Sequence, residues 1–353
     1  MIEFQKQKII LLTGSTGNFG RFLAMELLKD PNIHLALPVR GSSHEDAQQR
    51  VAEIVNLAPE RVKVYKSDLT KKDFDLSAQD YTELTATITH ILHSAASTRF
   101  NLPLEEARLH NVIVTKAVLE FAKKCSNLIR FGYLSSALVA GRRIGEIKED
   151  ELEHDKGFNN NYQQSKYEAE TLVRSEASKL PVVIFRPPFI IPDFSNYRSQ
   201  KNFLSVLISL IAKGYLPIVP GTPKSTMDIV NSSDASRIIV TIFLKDSLSY
   251  LTYHITNGAK ALQIKVLHDM VEQQVGRPIP IEYCGDVESF SDKLKQVLAE
   301  KPELKDVYLR AETFLLEPAF PKIFDNHHTL SEIGQQSLGE DPAVTLNLMF
   351  KQE

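Results

Sequence analysis

The first half of the chain alternates between two hydrophobic rhythms. Short apolar, β-branched runs at Ile9–Leu12, Ile33–Val39, Arg61–Tyr65, His90–His93, Ile129–Leu134 and Val182–Arg186 predict strands. Between them, apolar residues recur at helical spacing over Asn18–Lys29, Glu45–Leu57, Tyr81–Thr87, Leu104–Lys124 and Tyr162–Ser178. Strands joined by helical crossovers pair in parallel, and the helices cover both faces of the sheet. The fold class predicted is α/β, a Rossmann-type doubly wound parallel sheet that binds its ligand at the carboxyl ends of the strands.

After Pro188 the rhythm breaks. Pro, Ser and Asn surround one strongly apolar helix at 203–212. A helix after Asp234, a strand at Thr252–Thr256 and a helix at Leu262–Gln274 follow, and then the chain turns polar and helical. This predicts a nucleotide-binding domain over 1–188 plus about 232–257. A smaller, mostly helical substrate lobe takes 189–231 and 258–353.

Composition narrows the function. The 353 residues carry 41 Lys+Arg against 44 Asp+Glu with no long run of one sign, which argues against nucleic acid or an anionic membrane as partner. Cys125 and Cys284 are the only cysteines, and the ten histidines form no ligand spacing, so no metal site is expected. Sparse cysteine suits a cytoplasmic location. The apolar run at 203–212 is too short to span a bilayer, and no signal peptide is expected.

The chemistry begins after the first strand, where Gly14-Ser15-Thr16-Gly17-Asn18-Phe19-Gly20 leads into a helix. The first glycine permits a tight turn, the second lets backbone approach a pyrophosphate, and the third lets the helix pack down. The helix N-terminus then offers free N–H groups to phosphate. A purely structural strand-turn-helix would show similar spacing; the β-branched run before it and the amphipathic helix after it favour a dinucleotide.

The second strand ends at Arg40 rather than at an acid that would hold a ribose 2′-hydroxyl. A guanidinium suits a 2′-phosphate, so NADP(H) is preferred and NAD(H) is the alternative. Asp68 and Leu69 follow the third strand, where they would meet adenine. Ser94, Ala95 and Ala96 end the fourth strand with side chains small enough for a dinucleotide to lie over them. His93 reads as structural. Pro187 closes the sixth strand, rigid and suited to the nicotinamide carboxamide.

Tyr162 and Lys166 stand one helical turn apart, and an ammonium beside a phenol would lower its pKa for acid–base work. Tyr197 and Lys201 repeat the spacing, but no strand ending in serine precedes them. Tyr162 does follow such a strand, Tyr133-Leu134-Ser135-Ser136, whose hydroxyls could hold a substrate carbonyl. Asn111, within the fourth helix, is placed to hold a water next to the lysine.

In this order, these motifs resemble the extended short-chain dehydrogenase/reductase superfamily over roughly residues 8–260. His93–Phe100, Pro103–Ala107, Asn111-Val112, Ser135–Gly141, Ser165–Glu170 and Met227–Asn231 look like its fatty acyl-CoA reductase and thioester-reductase branch. The resemblance implies Ser136 as carbonyl holder, since it stands five residues before Gly141. It implies Tyr162 as proton donor, Lys166 as tuning cation and ribose anchor, and Asn111 as support. Val114, Leu138 and Ile191-Pro192-Asp193 depart from the family pattern. The implied activity is NADPH-dependent reduction of an acyl thioester, on CoA or an acyl-carrier protein, to aldehyde or alcohol. The alternatives are an epimerase, dehydratase or ketone/alcohol oxidoreductase on the same machinery, and a non-catalytic NADP sensor.

Overall fold

The computed structural model describes residues 7–191, 203–339 and 341–350. Seven strands form the central sheet: β1 (Lys8–Thr13), β2 (Ile33–Val39), β3 (Val62–Lys66), β4 (His90–His93), β5 (Arg130–Leu134), Val182–Arg186 and Thr252–His254. From one edge the order is Thr252–His254, Val182–Arg186, β5, β4, β1, β2, β3, and every pairing is parallel. The chain builds outward from β1 to β3, then returns to pair β4 on the other side of β1. That reversal opens a crevice at the carboxyl ends of β1 and β4.

The sheet is buried on both faces, which explains why its strands read as continuous apolar runs. Ile10 and Leu12 face a core built with Leu23, Leu27 and Ile239, while Leu11 faces the opposite core with Phe121, Phe131 and Val118. A third apolar cluster forms the lobe. Leu204, Leu207, Ile208 and Ile211 line up on one face of helix Phe203–Ala212 against Leu267, Val271 and Phe290. None of the described residues of this helix lines the main cleft, and the helix packs the core of the lobe.

Some elements differ from the sequence expectation. The helix expected over Glu45–Leu57 breaks at Val51 (φ −124°) into His44–Arg50 and Ala52–Leu57. The helix expected over Leu104–Lys124 carries a π segment, Leu109–Ile113, between two α-helical pieces. Leu262–Gln263 is a strand paired with Thr226–Met227, and its helix starts at Ile264.

The C-terminal region does not stay in one lobe. Lys322–Phe324 pairs in parallel with Gly145–Ile147, and helix His327–Ile333 packs on strand Thr252–His254 and helix Ser232–Phe243. Leu338 joins the sheet core. Part of 258–353 thus packs on the nucleotide domain. Only long-range pairing brings it there, and hydropathy along the chain carries no trace of that. The second Tyr-x-x-x-Lys match at 197–201, and residues 192–193 of the departing turn, lie outside the described residues. Among the described residues no helix is long and apolar enough to cross a membrane.

Candidate active site

A cleft of about 930 Å³ opens over the carboxyl ends of the strands. At its floor Gly14 adopts φ +77°, and a Cβ there would meet Ala95 N at 2.7 Å. Gly20 lies still closer to backbone, since a Cβ would come within 2.0 Å of Gly14 O. These two glycines are required by contact. Gly17 stands at the N-cap of helix Asn18–Leu27 with no side-chain cap, and the first turn holds no acid. Its N–H groups are therefore available, as a pyrophosphate site needs. Thr16, Asn18 and Phe19 complete this wall of the cleft. A turn that closes only without a Cβ at Gly14 and Gly20, beside an uncapped helix, fits a dinucleotide.

The loop after β4 is fixed from below. Ser94 N–H and Ala95 N–H both donate to Thr13 Oγ1, at 3.2 and 3.1 Å. The Thr13 hydroxyl is then left to donate to His93 Nδ1 at 2.7 Å, with His93 Nε2 facing Thr115 Oγ1 at 3.1 Å. Burial pushes His93 down to about 3, so it is neutral and structural. Ser94, Ala95 and Ala96 line the cleft above it.

Asn111 is buried in the π segment and does not reach Lys166 in the hydrogen-bond network. Its Oδ1 accepts from Ser97 N–H at 2.7 Å, and its Nδ2 donates to Ser97 O at 3.1 Å and Ser165 Oγ at 2.9 Å. These bonds make Asn111 a clamp between the cleft loop and the helix that carries Tyr162. The π segment turns the amide toward Ser97, an irregularity that helical periodicity cannot predict.

At the carboxyl end of β5 the two serines part company. Ser135 donates to Glu170 Oε2, while Ser136 lines the same cleft as Tyr162 and accepts from Leu138 N–H at 3.2 Å. Glu170 is fully buried and also binds Arg186 Nη2 at 2.6 Å and Arg174 Nε at 2.9 Å. Burial raises the Glu170 carboxyl, but Arg186, Arg174 and Ser135 outweigh it and hold it at about 2. Ser135 is thus consumed by structure.

Tyr162 and Lys166 lie on helix Asn161–Ser175, capped by Asn160 Oδ1 receiving Gln163 N–H at 3.0 Å. Both side chains line the cleft with Ser136 and Pro187. Phe100 packs edge-on against Tyr162 with ring centroids 5.3 Å apart. Lys166 Nζ donates to Tyr133 Oη at 2.8 Å and Leu134 O at 2.7 Å. The expectation that Lys166 lowers the phenol's pKa is corrected here. Burial raises Tyr162, with Ser136 opposing, and burial pushes Lys166 down to about 7. Its Nζ is aimed at Tyr133 and a backbone carbonyl rather than at the phenol.

At the far end of the cleft, Arg40 is well exposed and stands 3.9 Å from Asp68 Oδ1. Asp68 accepts from Thr70 N–H and Oγ1 and does not itself line the cleft; Ser67 and Leu69 do. Arg50 also lines it and donates to Arg40 O. Sequence reading missed Arg50, because only the packing of helix His44–Arg50 against β3 and β2 brings it to the cleft. It also missed Glu170, although the i, i+4 spacing of Lys166, Glu170 and Arg174 placed an acid between two cations on one helix face. Among the described residues no cluster of three or more His, Cys, Asp or Glu is arranged to hold a metal ion.

The seven-strand parallel sheet, the glycine cradle and the hydroxyl–lysine wall define the short-chain dehydrogenase/reductase class. A family model described as "Male sterility protein" matches residues 12–238, well over half of the chain, which therefore belongs to that NAD-binding family of the extended branch. The chain is 27% identical over 304 residues to Fatty acyl-CoA reductase 2 of Mus musculus, covering 72% of this chain and 59% of the relative. It thus spans about three fifths of the length of that curated relative. The terminal R domain of the myxalamid PKS-NRPS biosynthetic pathway superposes with a TM-score of 0.82 at 22% identity, covering 99% of this chain and 91% of that one. A UDP-glucuronic acid 4-epimerase from Bacillus cereus, solved with UDP-glucuronic acid and NAD, gives 0.68 at 18% identity over 97% and 98%. Both likenesses show the shared fold.

Proposed function

We propose that this domain reduces an acyl thioester, carried by CoA or an acyl-carrier protein, with NADPH. The observation that carries the reading is the convergence of Ser136, Tyr162 and Lys166 in one cleft with the glycine cradle. Similarity to fatty acyl-CoA reductases supports the thioester, and two arginines at the β2 end support NADPH over NADH. Bound NADPH supplies the hydride.

The residues do the rest. Ser136 and Tyr162 donate hydrogen bonds to the carbonyl oxygen, where negative charge develops. A phenol raised by burial is protonated at neutral pH, so Tyr162 is equipped to deliver the proton that reduction requires. The resulting hemithioacetal then expels thiol and leaves an aldehyde, which a second cycle would convert to alcohol. Lys166, held by Tyr133 and Leu134 O, is the cofactor-side cation beside that phenol. Gly14, Thr16, Gly17, Asn18, Phe19 and Gly20 hold the pyrophosphate, with Leu69 on adenine and Pro187 beside the nicotinamide.

Tyr162→Phe removes the proton and one donor, so NADPH oxidation with acyl-CoA should fall about a hundredfold or more. NADPH affinity should stay the same. Retained turnover in that variant defeats the assignment, and co-purified NAD without net cofactor consumption would move it to an epimerase.

A further inference from the structure

Among the described residues four cationic side chains line the cleft, and three of them have roles above. Arg40 and Arg50 sit at the β2 end, and Lys166 stands beside Tyr162. Arg99 is left over. It is exposed, it lines the cleft, and it makes no hydrogen bond or ion pair among the described residues.

Its backbone, by contrast, is held on both sides. Asn111 grips Ser97 through two hydrogen bonds, and Asn161 Nδ2 donates to Leu102 O at 2.9 Å. Phe100, the next residue, packs against the Tyr162 ring. Arg99 is therefore presented from a fixed loop at the reaction end of the cleft, with its charge unspent. Glu106 is the single carboxylate among the described lining residues, so the wall is net positive and suits an anionic ligand.

The cofactor's phosphates have the glycine cradle and the β2-end arginines. A further anion at the reaction end has to arrive with the substrate. Both CoA and carrier proteins present an acyl group on a phosphopantetheine arm, and the guanidinium fork matches a phosphate. Resting on the thioester reading, we propose that Arg99 anchors the phosphate of that arm and so selects carrier-borne thioesters over free carbonyl compounds.

Calorimetry of the NADP⁺-loaded protein with phosphopantetheine and with pantetheine tests this without needing turnover. The wild type should bind the phosphorylated arm about tenfold or more tightly, the range of a charge-assisted hydrogen bond. Arg99→Ala should abolish that preference, Arg99→Lys should keep part of it, and NADP⁺ affinity should be the same in all three. Equal affinity of the wild type for both arms, a preference that survives Arg99→Ala, or weakened NADP⁺ binding overturns the proposal. Thioester turnover without phosphate preference defeats Arg99 alone. Phosphate preference without thioester reduction defeats the proposed reaction and leaves the anchor standing. Comparing kcat/KM for acyl-CoA and carrier-bound acyl group in wild type and Arg99→Ala identifies the source, since the drop appears with whichever thioester the anchor serves.

Discussion

The two ends of the cleft are built on opposite terms. At the reaction end, the groups behind Ser136 and Tyr162 are buried and interlocked: Ser135, Glu170 and Arg186 are each at most 3% exposed. At the β2 end the cations stand in solvent, and the Arg40 side chain is 61% exposed. The difference teaches what each end needs. On the proposed reading, positioning a carbonyl for hydride and proton transfer tolerates little displacement, and charges that cannot move without large cost back it. Gripping a phosphate in solvent needs reach and charge, which exposed arginines supply cheaply.

The comparison breaks most readily at Glu170. Glu170→Ala leaves Arg186 buried without its partner and should destabilise the fold by about 3–5 kcal/mol, measured by chemical denaturation. The pH dependence follows from the same carboxyl. Its pKa is about 2 in the fold against 4.5 ordinarily, so the folded state binds fewer protons between those values. The stability it contributes is full above about 4.5 and drains away as pH falls through about 2. Glu170→Gln should flatten acid unfolding in that window; an unchanged acid limb would show that the buried network matters little.

Gly20→Ala tests the cradle between the two ends. Its Cβ would fall 2.0 Å from Gly14 O, and overpacking of that kind costs about 1–3 kcal/mol. NADPH affinity should fall with it, read by cofactor fluorescence. Normal affinity would mean that the loop does not seat the pyrophosphate.

Arg40→Ala sharpens the comparison with the smallest structural effect. Stability should change by no more than about 0.5 kcal/mol, as for an exposed side chain. KM for NADPH should rise about tenfold while KM for NADH stays put. An equal rise for both cofactors would remove Arg40 from the choice between them. If Arg50 shares the 2′-phosphate, only the double variant will show the full loss.

Much of this was legible along the chain. β2, β4 and strand Val182–Arg186 appear where apolar runs predicted them, because a two-face-buried strand has to be apolar throughout. Gly14 and Gly20 could be read because their requirement is local: a turn and a helix start have a glycine signature wherever they occur. Tyr162 and Lys166 were readable for the same reason, one helical turn being a fixed spacing.

Other features depend on residues far apart in sequence. Which of Ser135 and Ser136 has its hydroxyl taken up turns on Glu170, thirty-five residues on from Ser135, and on Arg186. The Asn111 amide serves Ser97 and Ser165 because a π segment rotates it, and the pull expected of Lys166 on Tyr162 is absent because its ammonium is spent on Tyr133 and Leu134 O. The return of Lys322–Phe324 to pair with Gly145–Ile147 is likewise invisible along the chain. Sequence determined what is repeated over short distances: strand and helix periodicity, glycine turns, and the helical spacing of a phenol and an amine. Tertiary structure decided which polar groups are spent on one another and which are left facing the cleft. Burial and hydrogen-bond satisfaction belong to the packed whole, and no local window of residues contains them.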